Sequence, residues 1–347
     1  MRKILIFRIG LLGDTVVSLP AFKTIRENFP QAEITLLYEK TGNLVGSYDL
    51  MAYTGLIDKS IPYITGAGII YLLKLWAKLR GLKFDAVIIL PPSRRSRYAL
   101  IRDKLFFLSA GIKKHFGFKW PYSAEYTPDS AFHETDFLLR LLVSEGLTLS
   151  KQLDLVDMLI VPESDKRICE SVLNSVLKST ENGLLFAFCV GSNMPAKCWP
   201  LENYFLLGER LISQFGVIPI IFGGPKEKEI GDILLKKWGC GLNLAGRFTV
   251  IQSYYLLRKC RLYVGNDTGV MHLAVLAGLK CIAIFSARDV KGRWDPYGAG
   301  HIVARKNVPC QGCMLVECVD KNNMCVATIS VDEVFGACAN MLRNAIK

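Results

Sequence analysis

The 347-residue chain contains no stretch of eighteen unbroken apolar residues, so a membrane-spanning helix is excluded at this level. No G-x-G-x-x-G fingerprint occurs, which disfavours a dinucleotide-dependent oxidoreductase. Helix-turn-helix, zinc-finger and RNP patterns are missing too, so nucleic acid has no support as a partner beyond charge. Low-complexity segments and short-period repeats are absent, which removes solenoids. A cleavable leader is also not expected. The apolar run after Met1 is broken at Arg8 and has no small-residue cleavage site, so it reads as a first buried strand of a cytoplasmic protein. The eleven cysteines are then expected to be reduced, and their odd number argues against a complete disulfide framework. Acidic residues are the scarce charge: 31 against 43 basic ones leave a net charge of +12, which points to an anionic substrate or surface.

The hydrophobic content of 51% over 347 residues supplies two sizeable cores. The most informative stretch runs from Arg261 to Leu279. Arg261–Val264 reads as a strand and Val270–Leu279 as a helix, joined by the turn and cap formers Asn266, Asp267, Thr268 and Gly269. A helix N-terminus placed there offers the N–H groups of Gly269 and Val270 to a phosphate. Thr268 adds a hydroxyl, and His272 follows one helical turn later, facing the same mouth.

The chain opens with a βαβ unit: strand Lys3–Phe7, a loop with Gly10, Gly13 and Asp14, helix Val16–Asn28 with Pro20 in its first turn, and strand Glu33–Tyr38. Asp14 falls at the carboxyl end of the first strand, where open α/β sheets place ligands. Helix Gly68–Gly81, strand Asp85–Leu90 and helix Phe132–Leu147 continue the domain. Polar character over 151–182, closing on a turn at 179–183, is read as the interdomain connection. A second βα series starts at Leu184–Val190, with helices Leu201–Phe215, Glu229–Trp238 and Val250–Arg258, and strands Val217–Phe222, Leu242–Leu244 and Cys281–Phe285. Three glycine turns, near 191, 223 and 265, each follow a strand. A doubly wound sheet would set them at one edge, where Lys197 can neutralise a diphosphate and Glu227 can accept from a ribose.

Two other stretches stand out. Residues 94–119 interleave Arg94, Arg95, Arg97, Arg102 and Lys104 with aromatic and aliphatic residues, a composition suited to an anionic membrane surface or a phosphorylated acceptor, or simply to a solvated helix face. The spacing of Cys310, Cys313, Cys318 and Cys325 is ligand-like for a structural zinc or an iron–sulfur cluster, though it also fits paired disulfides or inert thiols.

With these residues assembled, the chain resembles the family-9 glycosyltransferases, the bacterial heptosyltransferases of lipopolysaccharide core assembly. The resemblance rests on Gly13-Asp14 with Pro20 six residues on, Lys197-x-Trp199-Pro200, Gly223-Gly224-Pro225-x-Glu227, and Asn266-Asp267-Thr268-Gly269-x-Met271-His272. It implies an α/β fold of two Rossmann-like doubly wound domains facing across a cleft (GT-B type). The acceptor domain is expected over 1–165, the nucleotide-sugar domain over 181–330, and a C-terminal helix (331–347) packed back on the first domain. It implies an inverting transferase that moves a sugar, usually heptose from ADP-heptose, onto an anionic glycolipid acceptor at the inner leaflet, as a cytoplasmic, peripheral membrane protein. Asp14 would be the general base, and Lys197, Thr268, Gly269 and His272 would hold the donor diphosphate. Glu227 would contact the ribose and Asp267 would shape the pocket; Gly13 and Ser192 are counted with this donor site, and Arg94, Arg95 and Arg97 with the acceptor and membrane side. The chain has no Asp-x-Asp pair, so no cofactor is expected for the chemistry. Val270 replaces a frequent Pro, and Ser286 to Arg288, with Arg293 and Trp294, replace the usual turn, which would reshape the sugar pocket. The rival expectations are another nucleotide-sugar in O-antigen or capsule assembly, and a non-catalytic nucleotide-sugar-binding protein.

Overall fold

The computed structural model describes residues 1–40, 46–119, 132–151, 156–177 and 184–346, and the chain divides into two compact units, Met1–Ile160 and Val161–Lys347. In the first unit the elements run β1 (Lys3–Arg8), α1 (Leu12–Asn28), β2 (Glu33–Glu39), α2 (Ser47–Met51), β3 (Lys59–Tyr63), α3 (Ile69–Leu82), β4 (Ala86–Ile89), α4 (Arg97–Ser109), β5 (Lys114–Phe116) and α5 (Glu134–Ser144). The second unit runs α6 (Glu163–Leu177), β6 (Leu184–Cys189), α7 (Leu201–Phe215), β7 (Val217–Ile221), α8 (Lys228–Trp238), β8 (Leu242–Asn243) and α9 (Val250–Leu257). It continues β9 (Leu262–Asn266), α10 (Gly269–Leu276), β10 (Lys280–Phe285), β11 (Ile302–Arg305), α11 (Met324–Ala327) and α12 (Val331–Ile346).

Among the described residues each unit holds one parallel sheet, ordered β3-β2-β1-β4-β5 in the first and β11-β10-β9-β6-β7-β8 in the second. Strands covered on both faces need apolar side chains on both, which is why β1 and β7 are near-continuous aliphatic runs. In both sheets the first strand in sequence lies centrally and the order reverses beside it, at β1/β4 and at β6/β9. Open α/β sheets bind ligands at that reversal, outside the carboxyl ends of the strands. No helix among the described residues is long and apolar enough to cross a membrane.

Several boundaries differ from the sequence expectation. α1 begins at Leu12, four residues earlier than expected, and carries Pro20 inside it. The Thr15 and Ser18 hydroxyls donate to the Leu11 and Thr15 carbonyls in the turns before the proline. The earlier start puts Asp14 in the first turn, where an anion is favoured by the helix dipole. The stretch read as an interdomain connection contains α6, whose outward residues are polar enough to hide the helical stripe. Cys169 and Leu173 are its buried positions, and it is tied to α9 by Gln252 to Asp165 (2.6 Å) and Tyr255 to Glu170 (2.6 Å). The second unit therefore starts at Val161 rather than 181, while the turn expected at 179–183 lies outside the described residues.

α12 places Val334, Phe335, Cys338, Ala339 and Leu342 in the core of the second unit, with Trp199 and Tyr204. Trp199 Nε1 also donates to the Ile329 carbonyl just ahead of the helix (2.9 Å). The amphipathic period identifies the helix but says nothing of which core receives its face.

Candidate active site

Each unit contributes its own set of polar residues at its strand-order reversal. In the first unit, β1 ends in Arg8 and the chain turns through Gly10 into α1. Gly10 has φ +145°, and a Cβ there would stand 2.5 Å from Asp14 Cβ, so the loop that presents Asp14 requires glycine. The Asp14 carboxylate accepts from the Leu11 N–H (3.0 Å) and stays 29% exposed. Arg8 is fully buried behind it. One guanidinium nitrogen donates to the Leu90 carbonyl beyond β4 (2.8 Å), the other to the Asp14 carbonyl (2.8 Å), and the latter lies 3.8 Å from the Asp14 carboxylate. Burial pulls the Arg8 guanidinium below the usual arginine range, while the nearby carboxylates Asp14 and Glu134 oppose that shift. Arg8 thus spans the reversal between β1 and β4, holding the loop by its main chain and its charge. Glu134, also buried, accepts from the Ser93 N–H and hydroxyl at 2.7 Å and fixes the turn after β4.

In the second unit, the turns after β6, β7 and β9 lie side by side because those strands are neighbours. Asn266, the last residue of β9, is fully buried and joins two of them. Its Oδ1 accepts from the Trp199 N–H (3.1 Å) and the Tyr204 hydroxyl (2.9 Å), and its Nδ2 donates to the Gly191 carbonyl (3.3 Å). The segment containing Lys197, a 3₁₀ turn over Pro195–Lys197, is thereby held beside β9. Lys197 Nζ reaches Asp267 Oδ2 at 2.6 Å, with 14% and 8% of the side chains exposed. This ion pair sits at the β6/β9 reversal, immediately before α10.

Thr268 takes extended geometry as N-cap of α10, and its hydroxyl lies 3.5 Å from Cys189 Sγ. Its side chain caps no N–H and its carbonyl takes the Met271 and His272 N–H groups, so the Gly269 and Val270 N–H groups are the first-turn donors left to an external acceptor. Cys189 is itself buried, and burial pushes its thiol up to about 11, so it is a neutral neighbour. Ser192 Oγ accepts from the Met194 N–H (3.2 Å) in the turn after β6. Glu227 caps the turn after β7, taking the Gly224 N–H at 2.7 Å. It lies so close to Gly191 and Gly223 that a Cβ at either would stand 2.3 Å and 2.8 Å from its side chain. His272 is buried, with its ring edge-on to Trp294 at 6.2 Å. Trp294 Nε1 donates to Asp289 (3.2 Å), which also meets Arg293 (3.4 Å).

Lys197, Ser192, Glu227, Asp267, Thr268, Gly269 and His272 are therefore gathered at one sheet edge, and Gly13 and Asp14 at the corresponding edge of the other unit. Arg8 and the bracing role of Asn266 were not singled out from sequence, whereas Arg293 and Trp294, which meet Asp289, belong to the turn expected to reshape the sugar pocket. A charge closing an aliphatic strand was the available signal for Arg8. Asn266 stood within the informative stretch but read as a turn former, whereas its side chain bolts two turns together. Asn266→Leu, which orphans the Trp199 N–H and the Gly191 carbonyl and leaves the Tyr204 hydroxyl only the Cys189 carbonyl, should lower stability by roughly 3 kcal/mol in urea unfolding with an unchanged m-value.

Two other groups were expected from the sequence. Arg94 and Arg97 are exposed, but Arg95 turns inward to Asp103, which Arg102 also meets at 2.8 Å. In the cysteine tail all four thiols are free, and among the described residues no three His, Cys, Asp or Glu side chains are placed to hold a metal. Burial raises the Cys325 thiol, and Cys310, Cys318 and Cys313 lie near enough to add to that shift. Gly312 and Met314 donate to the Ala287 and Arg288 carbonyls, and Arg288 donates back to the Leu315 and Met314 carbonyls (2.6 and 2.8 Å). The Ala196 N–H donates to Val316. The tail is thus fastened as a brace between the 286–289 turn and the turn bearing Lys197.

The sequence model of glycosyltransferase family 9 (heptosyltransferase) matches residues 72–323. Lipopolysaccharide heptosyltransferase 2 of Escherichia coli (strain K12) is 26% identical over 301 residues, 82% of each chain. Among solved structures, a family-9 glycosyl transferase from Veillonella parvula DSM 2008 superposes with a TM-score of 0.76 at 20% identity, covering 99% of this chain and 98% of that one. The E. coli ADP-heptose lps heptosyltransferase II gives a TM-score of 0.71 at 21% identity over the whole of both chains. At these identities the structures establish a shared fold of two parallel-sheet α/β domains, the GT-B architecture of heptosyltransferases.

Proposed function

Because the chain belongs to glycosyltransferase family 9, we propose that it transfers heptose from ADP-heptose to a lipopolysaccharide core acceptor, with inversion at the sugar carbon and without a metal ion. The observation that carries this reading is the buried Lys197–Asp267 pair beside the N-terminus of α10, at the strand-order reversal of the second unit. A cation and a set of first-turn N–H groups converge there, which is what a diphosphate needs. The names of the relatives supply the sugar, the nucleotide and the acceptor class.

In the proposed reaction the Asp14 carboxylate takes the proton of an acceptor hydroxyl. The hydroxyl oxygen bonds to the anomeric carbon on the face opposite the diphosphate, and the bond from that carbon to the phosphate oxygen breaks. The electron pair leaves with ADP. Charge building on that oxygen is stabilised by Lys197 and the Gly269 and Val270 N–H groups, which the fold sets in place before the reaction. Asp267 keeps Lys197 in place, while Thr268 and His272 line the phosphate side. Glu227, with one carboxylate oxygen on Gly224, has the other for a ribose hydroxyl. Arg293 and Trp294, next to His272, bound the sugar. Gly13 precedes Asp14 in the first turn of α1, and Ser192 lies on the turn neighbouring Lys197. Arg94 and Arg97 serve the acceptor side. The protein is read as cytoplasmic and peripheral to an anionic inner leaflet, which suits the net charge of +12.

A thermal-shift panel of ADP, UDP, GDP and CDP with their sugar conjugates tests the donor. A ligand at a hundred times its Kd stabilises by about 2.7 kcal/mol, and ADP and ADP-heptose alone should do so, in EDTA as in buffer. Selective stabilisation by UDP or GDP species would replace the donor and direct attention to the 286–298 turn.

A further inference from the structure

Apart from Arg97, the outer faces of α3 and α4 have no role in the reaction described above. α4 turns Leu100, Asp103 and Phe107 into the first unit. Its opposite side presents Tyr98, Ile101, Leu105 and Leu108, with 86%, 47%, 59% and 50% of their surfaces exposed. These four recur at helical spacing and form one stripe. At 100° per residue Arg97 and Lys104 border it on one side and Arg102 on the other. α3 repeats the pattern. It buries Leu75 and Leu79, exposes Ile69, Ile70 and Leu73 at 69%, 69% and 57%, and carries exposed Lys74 and Lys78 next around the helix.

The two helices lie together. Trp76 Nε1 donates to the Ser109 hydroxyl (3.1 Å) and Arg80 to the Ser109 carbonyl (3.2 Å). A cavity of about 190 Å³, lined by Leu72 and Leu75 of α3 and Phe106 of α4, lies between them. Isolated exposed leucines are ordinary on a soluble protein, but seven large apolar side chains on one helix pair, fringed by cations, mark a contact surface.

We propose that this α3–α4 face docks onto an anionic bilayer, its apolar stripes entering the headgroup boundary and its lysines and arginines meeting lipid phosphates. Charge complementarity selects this occupant. A second copy would set the same cations against one another, whereas anionic lipids neutralise them while accepting the apolar side chains. The proposal rests on the glycolipid-acceptor reading above, and it narrows the basic and aromatic stretch over 94–119 to the outer face of α4, with that of α3 beside it.

Co-sedimentation of the full chain with phosphatidylcholine vesicles, with and without phosphatidylglycerol, tests it. The wild-type protein should bind only the phosphatidylglycerol vesicles and be released by salt. Lys74→Ser/Lys104→Ser should weaken binding about 30-fold, some five-fold per residue. Ile101→Ser/Leu105→Ser should weaken it at least ~10-fold, from the lost apolar burial. Both variants should keep the wild-type melting temperature and the wild-type rate of transfer to a water-soluble, deacylated acceptor. Equal binding to neutral vesicles, unchanged binding by both variants, or a dimer in sedimentation velocity that Ile101→Ser/Leu105→Ser abolishes would each overturn the docking surface. Failure to use ADP-heptose, with vesicle binding lost in the variants as expected, would overturn the donor reading alone and leave the docking surface standing.

Discussion

Asp14→Asn is expected to lower kcat by ~10²–10⁴-fold while leaving the Kd for ADP within two-fold of wild type, roughly the contribution of one positioned general base. The substitution preserves shape. An asparagine carbonyl still accepts from the Leu11 N–H, so the α1 entry and the tight approach of Gly10 survive. Only proton-accepting capacity and one negative charge are lost. The charge matters to Arg8, which is fully buried and lies 3.8 Å from the Asp14 carboxylate. Its two carbonyl partners and Glu134 remain, so a stability loss of about 1 kcal/mol is expected rather than unfolding. The donor-side residues belong to the other unit, hence the unchanged ADP affinity. Single-turnover rates with Asp14→Asn and Asp14→Glu check the assignment, and turnover within a few-fold of wild type for Asp14→Asn would remove Asp14 from the base role.

Lys197→Met should have the second large effect, a loss of ~10²–10³ in kcat, the size seen when one donor to a developing oxyanion is removed. Here affinity for ADP should fall as well, because the same ammonium faces the diphosphate in the ground state. The variant should also be less stable by about 3 kcal/mol, since Asp267, 8% exposed, loses its partner at 2.6 Å. The double variant Lys197→Met/Asp267→Asn separates the two effects. Removing the orphaned carboxylate should restore most of the melting temperature and none of the turnover. If turnover recovered along with stability, Lys197 would act only through the local fold.

Both expectations depend on residues whose identity was readable in the chain and whose company was not. Leu201–Phe215 is a helix at the bounds read from the sequence, Val331–Ile346 is the C-terminal helix that the resemblance implies, and the strand–turn–helix unit around Asn266 to His272 is where its cap and turn formers place it. Such features depend on neighbours within a few residues. β3, β5 and β11 escaped notice because they are short edge strands with mixed polarity, which only pairing makes regular.

The amino-acid order by itself determined the two parallel α/β repeats, the three glycine turns and the family to which they belong. Backbone propensity, turn chemistry and side-chain period all act over short range. Tertiary structure alone decided that β6 and β9 are neighbours, which brings Lys197 within 2.6 Å of Asp267 across seventy positions of sequence. It buried Arg8 behind Asp14, turned Arg95 into Asp103, and gave α12 to the core of the second unit. It also fastened the cysteine tail, by main-chain bonds and by Arg288, to the 286–289 turn and to the turn bearing Lys197. In each case the choice lay between partners far apart in the chain. It was made by strand order, burial and the need to pair buried polar groups, none of which a local pattern records.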